Sequence, residues 1–265
     1  MLDVNGPACP HREFGTSFRP PMSDATRPRT STGDRVFPVL AVIALALILL
    51  TLYWAFFRAP FERVMGAAQK IFYFHVPAAY AMYLCAAACF VGSALYLYRP
   101  GDRSDAFARA GAECACAFGL VVLTTGPIWA RPIWGVYWTW EPRLLTSLLS
   151  VLIYVAYVVL RSFAGDGDAE RKFAAALGVL GAANLPIIHY SVQKWGGNHP
   201  RVISSGGGGL RNPDMTRALL IGFLAFTVFA IALIWARMRL HVARARLARV
   251  EEEAVSLGVL EEEAA

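Results

Sequence analysis

Two histidines in apolar settings, a run of tryptophans and an adjacent Glu-Pro-Arg stand out in this 265-residue chain as groups that could do chemistry together. His75 sits in Phe72-Tyr73-Phe74-His75-Val76-Pro77, and His189 in Asn184-Leu185-Pro186-Ile187-Ile188-His189-Tyr190. Between them, Trp134, Trp138 and Trp140 fall within seven residues, followed by Glu141, Pro142 and Arg143. If the run is a short helix, Trp134 and Trp138 share a face and offer a flat apolar wall to a planar ligand. Neutral imidazole is a common ligand of haem iron, and two from opposite faces make it six-coordinate. Zinc fits less well, because no cluster of Cys, Asp or Glu accompanies the histidines at metal-site spacing. Arginine binds carboxylate in a bidentate fork, so Arg143 is a candidate partner for an acidic group on such a ligand.

Each of these residues also has a plain structural reading. A lone interfacial histidine is ordinarily satisfied by its surroundings, and tryptophans settle at headgroup depth because the ring is amphipathic. That belt accounts for one or two rings per helix end and leaves the cluster of three unexplained. Arg131, Lys194 and Arg201 are expected on the same side, and each serves a lipid phosphate as readily as a ligand.

The elements that must position these groups are membrane helices. The chain is 57% hydrophobic and 17% charged, with a mean hydropathy of +0.46, which places it outside soluble composition. Six segments approach the ~20 apolar residues needed to cross a bilayer: residues 37–57, 76–98, 107–128, 144–162, 173–190 and 218–235. Pro77 suits a first helical turn and predicts that the second span starts there, while Pro186 predicts a break in the fifth. The expected fold is therefore an all-α integral membrane protein with six transmembrane helices and a tryptophan-rich loop at 129–146. Lys and Arg are more numerous in the tails and in loops 2–3 and 4–5 than in the other loops, which predicts cytoplasmic termini. His75, His189 and His199 then fall on the outer side, with His11 and His241 in the cytoplasmic tails.

Residues 1–35 are polar and lack the apolar core of a signal peptide; they are expected to be a disordered cytoplasmic tail, and Met22 is an alternative start. Residues 36–237 form the membrane domain and 238–265 a helical, solvated cytoplasmic extension. Within the spans, Glu113 is expected to pair with Arg109 on its own helix. Gly119, Gly126, Gly178 and Gly181 suit helix packing. The net charge of +6 is scattered over loops and tails, which points to topology and headgroup contact rather than nucleic acid. With no Cys-x-x-Cys, neither covalent c-type haem nor a thioredoxin-like role is expected, and the cysteines read as small buried hydrophobes.

Three motifs in order resemble a known family. Trp134-Gly135-x-x-Trp138-x-Trp140-Glu141-x-Arg143-Leu144 resembles the tryptophan-rich "WWD" signature of haem-handling proteins in cytochrome c maturation. The segments around His75 and His189 look like the flanking histidine motifs of one branch, haem exporter protein C (CcmC), over about residues 37–237. The resemblance implies that His75 and His189 are axial ligands of a non-covalent haem b in outer loops 1–2 and 5–6, with Trp134, Trp138 and Trp140 as the platform. It further implies a bacterial inner-membrane subunit, not itself an enzyme, in an ABC-type complex with CcmA, CcmB and CcmD. That subunit delivers haem to the periplasmic chaperone CcmE. A catalyst of haem attachment to the chaperone and a transmembrane conduit for haem are the alternatives. Two positions depart from the pattern: Glu141 replaces the usual Asp, which puts a tight hydrogen-bond role in doubt, and Pro142 follows it.

Overall fold

The computed structural model describes residues 32–165, 167–200, 210 and 212–258. The tail expected at residues 1–35 therefore lies almost wholly outside the described residues, as do Cys9, His11, Arg201 and the Ser-Gly run 204–209. The six helices are α1 (Thr32–Tyr53), α2 (Phe72–Tyr98), α3 (Asp102–Trp134), α4 (Pro142–Phe163), α5 (Asp168–Trp195) and α6 (Pro213–Ser256). All six are long and apolar enough to cross a membrane, and no strand is present among the described residues.

The helix ends follow local chemistry more than hydropathy. α3 does not stop at residue 128 but continues through Pro127 and Pro132 to Trp134, closing on Gly135. At φ 77° that glycine adopts the left-handed conformation of a helix C-cap and donates its N–H to Arg131 O at 3.0 Å. α4 opens with Pro142 in its first turn, where the missing N–H is one of the helix's orphan donors anyway. α6 is capped by Asn212, whose Oδ1 accepts from the Asp214 N–H at 2.7 Å.

Three expectations are corrected here. α2 begins at Phe72, extending a 3-10 turn at Ala67–Ile71, so Pro77 lies inside the helix and not at its start. The seam with α6 runs tight at that point: a Cβ on Gly222 would lie 3.0 Å from Pro77 Cγ and from Tyr73 O. α5 passes through Pro186 without a break and ends at Trp195. The segment between Trp134 and Pro142 is not helical, so the tryptophans do not share a helical face.

α2 sits at the centre of the bundle, packing on α3, α5 and α6. Without a hydrophobic drive between helices in lipid, association relies on close approach of small residues. A Cβ on Gly92 would meet Ala108 N at 2.5 Å, and one on Gly111 would meet Cys89 N at 2.5 Å, so α2 and α3 touch backbone to backbone. Gly119 and Gly181 are filled by Val151 and Tyr154 in the same way, as packing contacts. Cys85, Cys89 and Cys114 are buried in this core. α1 is peripheral, leaning on α6.

Glu113 has a wider set of partners than its own helix supplies. Besides Arg109 Nε at 3.5 Å it takes Arg237 Nε at 2.6 Å and His241 Nε2 at 3.0 Å, both from α6. His241 is accordingly buried, because α6 runs on as one helix past Trp235.

Candidate functional site

A cavity of about 560 Å³ opens among the first turns of α2, the last turns of α3, the start of α4, the end of α5 and the loop after it. That volume lies within the roughly 300–1,000 Å³ of cofactor and small-molecule sites. His75, His189, Trp134, Trp138 and Arg143 all line it. Trp140 does not: it is 76% exposed and turned outwards, although its ring still meets Trp138 edge-on at 5.9 Å. Trp134 is braced in the same edge-on manner by Trp129 at 5.2 Å. These T-shaped pairs hold the rings without covering the faces turned to the cavity.

His75 occupies the first turn of α2, and its Nδ1 lies 2.9 Å from Thr125 Oγ1 on α3. The threonine hydroxyl donates to Val121 O at 2.6 Å, so its proton is committed and its lone pairs face the histidine. His75 is therefore the donor through Nδ1–H, and its Nε2 is left as an unprotonated lone pair. A carbonyl or hydroxyl fixing Nδ1–H is the usual support of an imidazole that ligates metal through Nε2. Gly126 beside it leaves room for the ring: a Cβ there would stand 3.4 Å from His75 Cε1.

His199 is the residue that reading the sequence left out of the site. It lies in the loop after α5, is half-buried, and lines the same cavity. Burial, reinforced by the Arg143 guanidinium and by His75, holds its imidazole down at about 4, so it is neutral near pH 7. His199 and His75 line the same cavity. His199 Nδ1 stands 3.2 Å from Arg143 Nη1 and also 3.2 Å from Pro200 O. The two contacts need opposite tautomers. Arg143 can only donate, which puts the His199 proton on Nε2; Pro200 O can only accept, which puts it on Nδ1 and frees Nε2.

His189, by contrast, is an exposed residue inside α5, and its ring packs edge-on to Tyr190 at 5.0 Å. Its carbonyl and that of Ile188 each receive a 3.4 Å contact from Arg143, which thereby ties the start of α4 to α5. Arg131 is committed elsewhere, donating to Gly135 O and lying 5.5 Å over the Tyr137 ring.

Glu141 has a defined task. Its Oε2 accepts from the Asn198 N–H at 2.7 Å, next to Gly197, whose φ of 139° few side chains tolerate. A Cβ at Gly197 would come within 2.9 Å of the same oxygen. The carboxylate thus anchors the backbone that presents His199, and the expected doubt about a tight hydrogen bond is answered by this contact. Thr125 and Gln69 carried no signal in the sequence, since only the fold brings Thr125 to a histidine fifty residues away.

The donor set suits haem. The wall is aromatic, one imidazole is fixed with a free nitrogen, a second imidazole is held neutral, and a guanidinium stands at the rim. Two buried polar atoms of cavity residues, Trp138 Nε1 and Gln69 Oε1, have no hydrogen-bond partner among the described residues. Among the described residues no three or more His, Cys, Asp or Glu converge as they would for a bare metal ion. A haem iron takes its equatorial ligands from the macrocycle and needs only axial imidazoles.

Fold and cavity together define a multi-pass helical membrane protein with a ligand cavity at one end of its bundle. The family model described as Heme exporter protein C matches residues 23–253. A Heme exporter protein C of Bradyrhizobium diazoefficiens is 34% identical over 214 residues, 80% of this chain and 81% of that protein. The Heme exporter protein C of Escherichia coli K12 is 33% identical over 166 residues, 61% of this chain and 66% of the relative. That of Paracoccus denitrificans is 30% identical over 219 residues, 82% and 90% of the two chains. The chain belongs to the Heme exporter protein C family.

Proposed function

We propose that this protein binds haem b non-covalently in the cavity and hands it on during cytochrome c biogenesis, with no turnover chemistry of its own. The observation that carries the reading is the Nδ1–H of His75 fixed by Thr125, which leaves Nε2 free toward the cavity. Bound haem supplies an iron with axial positions for imidazole. His75 takes one. For the second, its half-buried place in the cavity and its neutral state weigh for His199 over His189, which is exposed and packs its ring on Tyr190. Trp134 and Trp138 are the wall. Arg143 meets a propionate, and in doing so leaves His199 Nδ1 to Pro200 O, the tautomer with Nε2 available.

The outward-facing Trp140 is the natural contact for an acceptor. We assign that part to the periplasmic chaperone CcmE, with CcmA, CcmB and CcmD as the complex around this subunit. The bacterial inner membrane is the setting, with cytoplasmic termini and the cavity on the periplasmic face. ATP dependence comes from a partner, as no nucleotide motif occurs in this chain.

The test is the absorption spectrum of the detergent-purified protein from haem-replete cells expressing the complex. Wild type is expected to carry b-type haem, and His75→Ala to lose at least tenfold of it per folded protein. His199→Ala is expected to shift the reduced spectrum toward five-coordination while His189→Ala leaves it in place. The reverse pair of outcomes restores His189 as ligand. Stable, haem-free wild type sinks the reading.

A further inference from the structure

The end of the bundle opposite the haem cavity holds a second cavity, of about 570 Å³, between the end of α2, the start of α3 and the late part of α6. From His75 to Leu95 on α2 is twenty residues, about 30 Å of helix, which is the thickness of a bilayer's hydrocarbon core. The two cavities therefore stand at the two membrane surfaces, and this second placement does not depend on what the first one binds.

Four arginines line it: Arg99, Arg103, Arg246 and Arg249. Its one carboxylate, Asp102, is already engaged, taking Arg249 at 2.6 Å and Arg171 at 3.0 Å. No ion pair or hydrogen bond to a side chain is found for Arg99, Arg103 or Arg246 among the described residues. The α3 N-terminus opens into the same space with no side chain capping it, since Ser104 Oγ turns back to Gly101 O at 2.8 Å. Beneath the arginines the lining is apolar: Leu95, Phe107, Met238 and Val242. Cationic rim, uncapped helix start and greasy floor match a ligand with an anionic head and a hydrocarbon body.

We propose that this cavity is a binding site for the phosphate headgroup of an anionic phospholipid, seated between α2, α3 and α6. Basic pockets between membrane helices take such headgroups by combining charge with acyl contact. The occupant is a lipid and not free phosphate because half of the lining is apolar and continuous with the membrane-facing surface of Leu95.

The experiment is native mass spectrometry of the full chain from mixed micelles of phosphatidylglycerol and phosphatidylcholine. It compares wild type, Arg103→Gln/Arg246→Gln, and the charge-matched control Arg35→Gln/Arg244→Gln, whose side chains lie outside the cavity. Wild type is expected to retain one phosphatidylglycerol selectively. The cavity variant should lose that preference roughly twenty-five-fold, two basic side chains each strengthening anionic-lipid binding about fivefold. The control should keep it, and all three should melt alike, since these arginines are exposed. An equal loss in both variants would overturn the proposal by reducing the effect to general surface charge. Displacement of the lipid by millimolar inorganic phosphate would overturn it in favour of a free-anion site. No selectivity in wild type would also overturn it, leaving the arginines to an acidic protein segment.

Discussion

The buried charges inside the helices at one end of the bundle and the polar groups of the His75 cavity at the other are handled in opposite ways. At the end away from the His75 cavity, charges inside the helices neutralise one another: Arg161 meets Asp105 at 2.8 Å, and Glu113 gathers Arg109, Arg237 and His241. At the cavity end, among the described residues, His75 has one partner, His199 shares a nitrogen between two, and Trp138 Nε1 has none. A cluster that satisfies itself has nothing left for a ligand, whereas groups held in place but incompletely bonded are available to one. The first arrangement fastens α3 to α4 and α6; the second keeps a site ready. Stability and binding should therefore respond separately to substitution at the two ends.

The largest effect expected is on the buried, mutually neutralised charges. Arg161 is 1% exposed in its side chain, so Arg161→Ala leaves Asp105 buried with its closest cation gone. Removing one partner of a buried pair destabilises by about 3–5 kcal/mol. Thermal unfolding of the detergent-purified protein should shift down accordingly, while haem bound per folded molecule stays at the wild-type value. Loss of haem from the remaining folded fraction would show that the two ends are coupled.

At the cavity end, Thr125→Val keeps the shape and removes the acceptor for His75 Nδ1–H. Loss of an outer-shell partner of a metal-ligating histidine lowers affinity about 10–100-fold, with unfolding nearly unchanged. Thr125→Ser should restore most of the affinity, which a packing defect would not permit. Haem titration of the purified variants reads both.

The contrast also marks what could be read from the sequence. The six spans were legible because hydropathy reports lipid contact directly. Their ends were not, because loss of hydropathy marks where lipid stops and not where the helix does: α3 runs on to Trp134. His75, His189, Trp134, Trp138 and Arg143 were legible from residue type and local clustering, and the structure brings them to one cavity. His199 was not singled out, because it sits in a polar loop whose course is set by Glu141 through Asn198. His189 drew attention through its apolar setting and lines the cavity from an exposed position. Trp140 belongs to the same run as Trp138, but a non-helical segment sends the two in different directions. Thr125 is one of two adjacent threonines, and nothing local distinguishes it from Thr124, whose hydroxyl merely returns to Leu120 O.

The smallest expected effect separates the ends by pH. His199 titrates at about 4 in the native protein, against about 6.5 for an unfolded histidine. Between those values the unfolded chain takes up a proton that the native site refuses, so stability falls as pH drops from about 6.5 towards 4 and levels off below. Because His199 is only half-buried, about 1–2 kcal/mol of the apo protein's stability should be lost over that interval after allowance for screening. The reason is local: the Arg143 guanidinium beside the ring opposes a second positive charge and can offer no lone pair to it. His199→Gln removes the titrating group while keeping a side chain that Arg143 can donate to, and should flatten the dependence in this window. Unfolding midpoints of haem-free wild type and variant at pH 7 and pH 4.5 make the comparison. An equal drop in both would move the sensitivity away from the cavity and to the carboxylate clusters at the other end.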